Sequence, residues 1–344
     1  MSTPSIAETL STERATQILV CGTGSIGIRH LRVLRDGLGL SPSAMPIRHA
    51  RIRELQAEGI RTISGWQEAA GLAPQFAIIA SDTSRHLADA SEALALGANV
   101  LVEKPLAPSV LGLHDFVQLA ESCGRRVFVA CNLRFDAGLV LFRHHLPEIG
   151  RVHSVRIECQ SFLPEWRPGT DYSRAYSARR EEGGVLRDLI HEIDYAIWLF
   201  GPPSALFARL RNSGALGIES DESADILWES PSGTSVSIRL DYVSRISRRK
   251  MRAFGERGDL EWDYSSKRVS LALAGQPEQT WVVEQTRDQM MCAQAAAFLR
   301  CAEESDTSPL ATLAEGAFAV AVCDTARRSS DLGRVEPVLD WRTS

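Results

Sequence analysis

Two short stretches hold the residue types that acid–base chemistry needs. Val102-Glu103-Lys104-Pro105-Leu106-Ala107 closes an apolar run with a lysine, and the stretch 183–194 carries His191 with Asp188 and Asp194 three residues to either side. Histidine titrates near neutrality, and on a helix both aspartates reach its face, so one carboxylate could fix the tautomer while the other ring nitrogen meets a substrate hydroxyl. A lysine ammonium at a strand end could donate to the same oxygen or relay its proton. The pair suits oxidation of a carbinol, in which a hydroxyl proton is removed as hydride leaves the carbon. Taken alone, the residues leave blander readings open: Lys104 as a surface lysine, and His191 as a core histidine among Leu189, Ile190 and Ile193.

A hydride needs an acceptor, and the glycine-rich segment Gly22-Thr23-Gly24-Ser25-Ile26-Gly27 supplies the place for one. It directly follows the apolar run Ile18-Leu19-Val20-Cys21 and opens a helix over 25–35, the context in which a G-x-G-x-x-G pattern reads as a dinucleotide loop. Gly22 permits the tight turn, Gly24 lets backbone approach the pyrophosphate, Gly27 lets helix and strand pack closely, and Ser25 and Ile26 open the helix. About 20 residues on, an NAD site would show an acidic residue for the ribose 2′-hydroxyl. The chain instead reads Pro46-Ile47-Arg48-His49-Ala50-Arg51-Ile52-Arg53, with Glu54 the first carboxylate. Arginines suit a 2′-phosphate, so NADP is preferred; NAD remains open, with Arg48 and Arg51 then a solvated face.

The elements that must position these residues come in two textures. Over 17–129, apolar runs at Ile18–Cys21, 76–80, Asn99–Val102 and 127–130 alternate with amphipathic helices, the pattern of an α/β parallel sheet whose ligands sit at the carboxyl ends of the strands. After about residue 150 the period becomes two, as in Val236, Ile238, Leu240 and Tyr242, continued by 250–254, 259–264 and 270–274 around the connection Gly255-Glu256-Arg257-Gly258. That is antiparallel sheet. Helices at 186–200, 288–302 and 311–326 are its candidate cover, the last expected to pack back on the first domain.

At Glu103-Lys104-Pro105 the chain resembles the glucose-fructose oxidoreductase/inositol dehydrogenase/MocA family. Three more stretches carry the likeness: Ala80-Ser81-Asp82-Thr83-Ser84-Arg85-His86, Asn132-Leu133-Arg134-Phe135 and the histidine-bearing stretch 183–194. The resemblance implies an N-terminal Rossmann dinucleotide-binding domain and a C-terminal α+β domain with an open-faced, mainly antiparallel sheet. On this reading 1–16 is a frayed start, 17–135 the dinucleotide domain, 136–330 the substrate and oligomerisation domain, and 331–344 a tail that packs on the first domain. It further implies a nicotinamide-dependent reaction on a sugar, a sugar derivative of acidic or nucleotide-linked kind, or a cyclitol, catalysed by Lys104 and His191 with Asp188. Ser81, Thr83, His86 and Glu103 would join the cofactor site, and Asn132, Arg134 and Asp194 the substrate site. The chain departs from the commoner family pattern, because Asp188 precedes His191 by three positions rather than four and a third glycine is missing.

The stretch from Trp166 to Arg180 is too polar and aromatic for a plain strand and reads as a substrate loop. Trp166, Tyr172 and Tyr176 could stack on a sugar, and Arg167 or its neighbours could clamp a carboxylate or phosphate; the same rings could equally cap the core. The 344 residues favour two domains, and a formal charge of -5 disfavours nucleic-acid partners. Seven scattered cysteines without Cys-x-x-Cys spacing argue against disulfides and metal, and no apolar run is long enough for a signal or membrane segment, so a cytoplasmic location is expected. A homodimer or homotetramer follows from the family. Two other functions stay open: an NAD-dependent glycosidase acting by transient oxidation, and a non-catalytic dinucleotide or sugar sensor, against which the presence of Lys104 and His191 speaks.

Overall fold

The computed structural model describes residues 16–48, 51–169 and 171–343. The expected frayed start at 1–16 therefore falls, but for its last residue, outside the described residues. Among these residues two sheets organise the chain. The first contains β1 (Ile18–Cys21), β2 (Ser43–Met45), β3 (Phe76–Ile79), β4 (Asn99–Val102) and β5 (Val127–Val129), all parallel, in the order β5-β4-β3-β1-β2. Its strands are buried at every position, and apolar but for Ser43 and Asn99, because helices cover both faces. These are α1 (Ser25–Arg32), α2 (Ile52–Ala57), α3 (Trp66–Leu72), α4 (His86–Ala95) and α5 (Leu113–Ser122). The strand order reverses at β1, so the loops after β1, β3 and β4 open into one crevice.

The chain then enters α6 (Ala137–His145) and a second sheet of β6 (Val152–Phe162), β7 (Ala205–Arg211), β8 (Ser223–Glu229), β9 (Ser235–Asp241), β10 (Val243–Gly255), β11 (Gly258–Asp263), β12 (Arg268–Leu273) and β13 (Gln279–Val282). Its order is β13-β12-β11-β10-β6-β9-β8-β7, antiparallel except for the parallel pair β6 and β9. Residues alternate across it: Met251 and Ala253 point to the core, Arg248 and Arg252 to the outer face. The inner face is covered by the broken pair α7 (Val185–Asp188) and α8 (Ile190–Phe200), and by a long C-terminal helix.

Two expectations about the helices are corrected. The helix at 186–200 is interrupted at Leu189, whose φ of -100° and ψ of 30° separate α7 from α8. The helix at 288–302, here α9 (Arg287–Arg300), covers the first sheet rather than the second: Phe298 packs edge-on against Phe76 of β3 and Phe128 of β5. Before α10 (Leu313–Leu332) the chain adds β14 (Ala311–Thr312) antiparallel to β5, and as expected the helix packs back on the first domain, with Gly316 against Val129 of β5 and Asp324 accepting from the Val110 N–H, while its Ser329 and Ser330 hydroxyls accept from the Ala208 and Leu210 N–H groups of β7. The tail pairs β15 (Glu336–Pro337) with the edge of β7, and Trp341 packs into the core beyond it. No helix among the described residues is long and apolar enough to cross a membrane.

Candidate active site

The glycine loop is shaped by what surrounds it. Gly22 has φ of 92°, and a Cβ there would stand 2.4 Å from the Ala80 carbonyl carbon; a Cβ on Gly27 would stand 1.9 Å from the Gly22 carbonyl oxygen. Gly24, by contrast, would place a Cβ in open space, and its exposed backbone begins α1 beside exposed Ser25 and half-buried Ile26. A tight turn packed against β3 with one open flank and free helical N–H groups fits a pyrophosphate. At the end of β3 the Ser81 hydroxyl is buried without a partner, and Thr83 is half-buried beside it, so a bound dinucleotide would find an unmet polar group there.

Two residues assigned to the cofactor turn out to hold the frame. His86 is buried, its Nδ1 2.8 Å from the Pro105 carbonyl and its Nε2 3.1 Å from that of Ser81, so it ties the β3 loop to the β4 loop. Burial keeps it below the usual histidine pKa. Glu103 is engaged by His30 Nε2 of α1 at 2.7 Å and by the Lys104 N–H at 3.3 Å, which ties the β4 loop to α1. Burial opposes its charge, but His30 and Lys104 outweigh that and lower its pKa. Arg48 is exposed, Arg51 lines a cleft of about 300 Å³ with Ser25, Ile28, Arg29, Arg32 and Asp288, and His49 lies outside the described residues.

Lys104 and His191 meet across the two domains. Lys104 Nζ donates to the Asp188 carbonyl oxygen at 2.7 Å, at the break that starts the helix of His191. His191 Nδ1 is buried with no hydrogen-bond partner, which leaves Nε2 for the cleft. Its pKa is pushed well below 6.5 by burial, then by the charges of Lys104, Arg249 and Arg287. A neutral imidazole beside a fixed cation is a base with a hydrogen-bond donor next to it.

Neither aspartate backs the histidine, contrary to expectation. Asp188 Oδ2 accepts from the Tyr242 hydroxyl at 2.6 Å and its Oδ1 is buried without a partner. Asp194 is 2% exposed and receives both Nε and Nη2 of Arg134, at 3.0 and 2.7 Å. Arg134, 1% exposed, also donates to Glu315 at 3.0 Å, so Arg134 and Asp194 are removed from the substrate list as a buried structural pair. Asn132 stays half-buried in the turn after β5.

The loop from Trp166 to Arg180 reaches the same centre. Trp166 packs edge-on against Tyr242 with centroids 5.3 Å apart, Arg167 lies over the Tyr176 ring at 5.8 Å, and burial followed by the Asp188 charge raises the pKa of both tyrosines. Gly183 and Gly184 N–H groups donate to the Arg179 and Ser177 carbonyls, which seats the loop on the entry to α7. Tyr172 instead donates to the Leu216 carbonyl at 3.2 Å and braces the loop from behind.

Sequence reasoning missed His30, Glu192, Tyr242, Arg249 and Arg287. Arg249 could have been found, because period two along β10 puts it on the face of Met251 and Ala253. It pairs with fully buried Glu192 at 2.7 Å; burial opposes its charge, but Glu192 holds it charged. No group of His, Cys, Asp or Glu among the described residues could hold a metal ion.

Comparison with known proteins gives this geometry a setting. Residues 16–131 match an oxidoreductase family model with an NAD-binding Rossmann fold, and residues 147–261 match the GFO/IDH/MocA C-terminal domain. Inositol 2-dehydrogenase of Acidiphilium cryptum is 28% identical over 65% of this chain and 66% of its own. The putative oxidoreductase YceM of Salmonella typhimurium is 31% identical over 41% of this chain and 40% of its own. The uncharacterized oxidoreductase YhhX of Escherichia coli is 27% identical over 39% of this chain, so the match spans 38% of that relative. Among solved structures, levoglucosan dehydrogenase in complex with NADH superposes with a TM-score of 0.84 at 18% identity, over 95% of this chain and 100% of that one. An oxidoreductase from Agrobacterium radiobacter, in complex with NAD+, L-tartaric acid and magnesium, gives 0.83 at 19%, over 94% and 99%. At such identities the likeness is one of fold.

Proposed function

Because the chain belongs to the GFO/IDH/MocA oxidoreductase family, we propose that it transfers hydride between a nicotinamide dinucleotide and a CH–OH carbon of a sugar, sugar derivative or cyclitol. The observation that carries this reading is the convergence of Lys104, from the end of β4, on the break that precedes the histidine helix, with Nζ 2.7 Å from the Asp188 carbonyl. The bound nicotinamide supplies the hydride acceptor. Lys104 donates to the substrate oxygen and His191 Nε2 takes the hydroxyl proton, so the carbinol becomes a carbonyl as two electrons and a proton leave its carbon. In reduction the same groups return the proton. Tyr242 holds the Asp188 side chain in place, and Trp166 and Tyr176 offer ring faces to the sugar.

The dinucleotide would lie on the glycine loop with its adenosine end toward the cleft of Ser25, Arg29, Arg32 and Arg51. Three guanidinium groups around about 300 Å³ support acceptance of a 2′-phosphate, hence NADP as well as NAD. We also propose that the outer face of the second sheet, which exposes Phe207 and Leu227, is covered by a second copy. The test of the function is a screen of polyols, aldoses and cyclitols with NAD+ and NADP+, read by the absorbance of reduced nicotinamide. Turnover of one such class supports it; tight dinucleotide binding with no turnover of any of them overturns it.

A further inference from the structure

The last sheet bond at the end of β4 runs from the Glu103 N–H to the Ile79 carbonyl, at 2.8 Å. Beyond it the chain leaves the sheet, so the backbone of Lys104 needs another support. Two buried histidines supply it. On one side His86 of α4 has Nδ1 2.8 Å from the Pro105 carbonyl. On the other, His30 of α1 is 1% exposed and holds Glu103 Oε1 at 2.7 Å from its Nε2, while Glu103 Oε2 accepts from the Lys104 N–H at 3.3 Å. Between these ties the Lys104 side chain reaches across to the Asp188 carbonyl.

The His86 tie joins two loops of one sheet, whereas the His30 tie joins the lysine to the helix that opens at the glycine loop. His30 stands about 9 Å along α1 from Gly24, at 1.5 Å per residue. Burial opposes the Glu103 charge, but His30 and Lys104 outweigh it, so the carboxylate is ionised and only accepts. His30 Nε2 therefore carries the proton of the bond. Its Nδ1 is buried with no partner, so among the described residues the ring has no polar tie but Glu103. A helix that only had to pack there would be served at lower cost by an apolar ring. Released from His30, the Glu103 carboxylate would be free to turn toward the neighbouring ammonium and compete with the substrate oxygen for it.

We infer that His30 is a positioning residue: acting through Glu103, it sets Lys104 in register with the dinucleotide helix and keeps the Glu103 carboxylate off the lysine ammonium. The effect on rate rests on the dehydrogenase reading, but the effect on Lys104 can be measured without turnover. A misplacement of about 1 Å at a reacting group costs about 100-fold in rate, so a ring that never touches substrate has leverage over it.

Two amides of different reach test the inference. In His30→Gln the amide N–H stands near the place of Nε2; in His30→Asn it stops short, near Nδ1. The chain has three lysines, Lys104, Lys250 and Lys267, so lysine isotopically labelled at Cε gives three NMR signals, and the one missing in Lys104→Met is assigned. In the NAD-bound full-length chain, His30→Asn should move the Lys104 signal and leave the other two, and His30→Gln should leave all three. Single-turnover nicotinamide reduction with the best substrate of the screen should fall about 10- to 100-fold in His30→Asn and recover in His30→Gln, with NAD affinity near wild type in both. In the Lys104→Met background His30→Asn should cost less than about 2-fold further, because one residue acts through the other. Glu103→Asp, which shortens the other arm of the tie, should reproduce the Lys104 shift and the rate loss, and replaces His30→Asn if that chain does not melt cooperatively. An unmoved Lys104 signal, equal rates in the two amide variants, or the same fold-loss with and without Lys104 overturns the inference. Loss of NAD affinity in step with rate also overturns it, because His30 would then serve the glycine loop alone. A Lys104 signal that moves as expected, in a chain that reduces nicotinamide with no substrate, would leave the positioning role standing and sink the dehydrogenase reading.

Discussion

Replacing Arg134 by alanine separates a structural role from a substrate role. The guanidinium gives two hydrogen bonds to Asp194, at 3.0 and 2.7 Å, and a third to Glu315 at 3.0 Å, and it lies 5.5 Å from the Trp198 ring. Burial opposes the charge, but Asp194 outweighs burial and holds the arginine charged. Its removal leaves the Asp194 carboxylate buried and unpaired, which costs about 3–5 kcal/mol. That is roughly two to four powers of ten in the ratio of folded to unfolded protein. Glu315 loses less, because its side chain is 34% exposed and still closes a capping box with Thr312. The double variant Arg134→Met/Asp194→Leu removes both charges and should recover most of the loss. Denaturant unfolding followed by circular dichroism, without ligand, measures each variant. A loss below about 1 kcal/mol in the single variant, together with a raised KM for a sugar, would refute the structural reading and return Arg134 to the substrate.

Three further outcomes are expected. Gly27→Ala forces a Cβ to 1.9 Å from the Gly22 carbonyl oxygen and should abolish dinucleotide binding, whereas Gly24→Ala meets open space, should fold with wild-type Tm, and should weaken the dinucleotide through its own bulk; calorimetry and thermal melts distinguish them. The acid limb of kcat/KM should lie below pH 6.5, because burial and the three nearby cations depress the folded-state pKa of His191. The same sign makes its contribution to stability complete above the unfolded-state value of about 6.5 and progressively lost below it; an acid limb above pH 7 would contradict the assignment. Arg51→Ala and Arg48→Ala should weaken NADP while leaving NAD unchanged, and equal loss for both dinucleotides would remove the arginines from the 2′ position.

What could be read from the chain was local. The glycine loop, the four apolar strands and the lysine at the end of β4 each declare themselves within a few residues, because turn geometry and parallel-sheet burial are written in adjacent side chains. The strand Ser43–Met45 escaped because it is three residues long between Pro42 and Pro46. The partners of the charged groups escaped for another reason. Arg134 and Asp194 lie 60 positions apart and Glu192 and Arg249 57 apart, and no local pattern states that two buried charges will meet. Spacing alone suggested Asp188 and Asp194 as supports for His191; the break at Leu189, which holds neither glycine nor proline, turns α7 away from α8 and spends each aspartate elsewhere. The alanine-rich α9 lacks a marked apolar stripe, so only Phe298, set between Phe76 and Phe128, shows which sheet it covers.

The central claim is that Lys104 and His191 perform chemistry across the cleft on a dinucleotide held by the glycine loop. Single-turnover rates of nicotinamide reduction in Lys104→Met and His191→Asn, at saturating dinucleotide and the best substrate of the screen, test it most directly. Each rate should fall by about two to four powers of ten while dinucleotide affinity stays near wild type. A wild-type rate in either variant would contradict the role given to that residue, and wild-type rates in both would place the chemistry elsewhere.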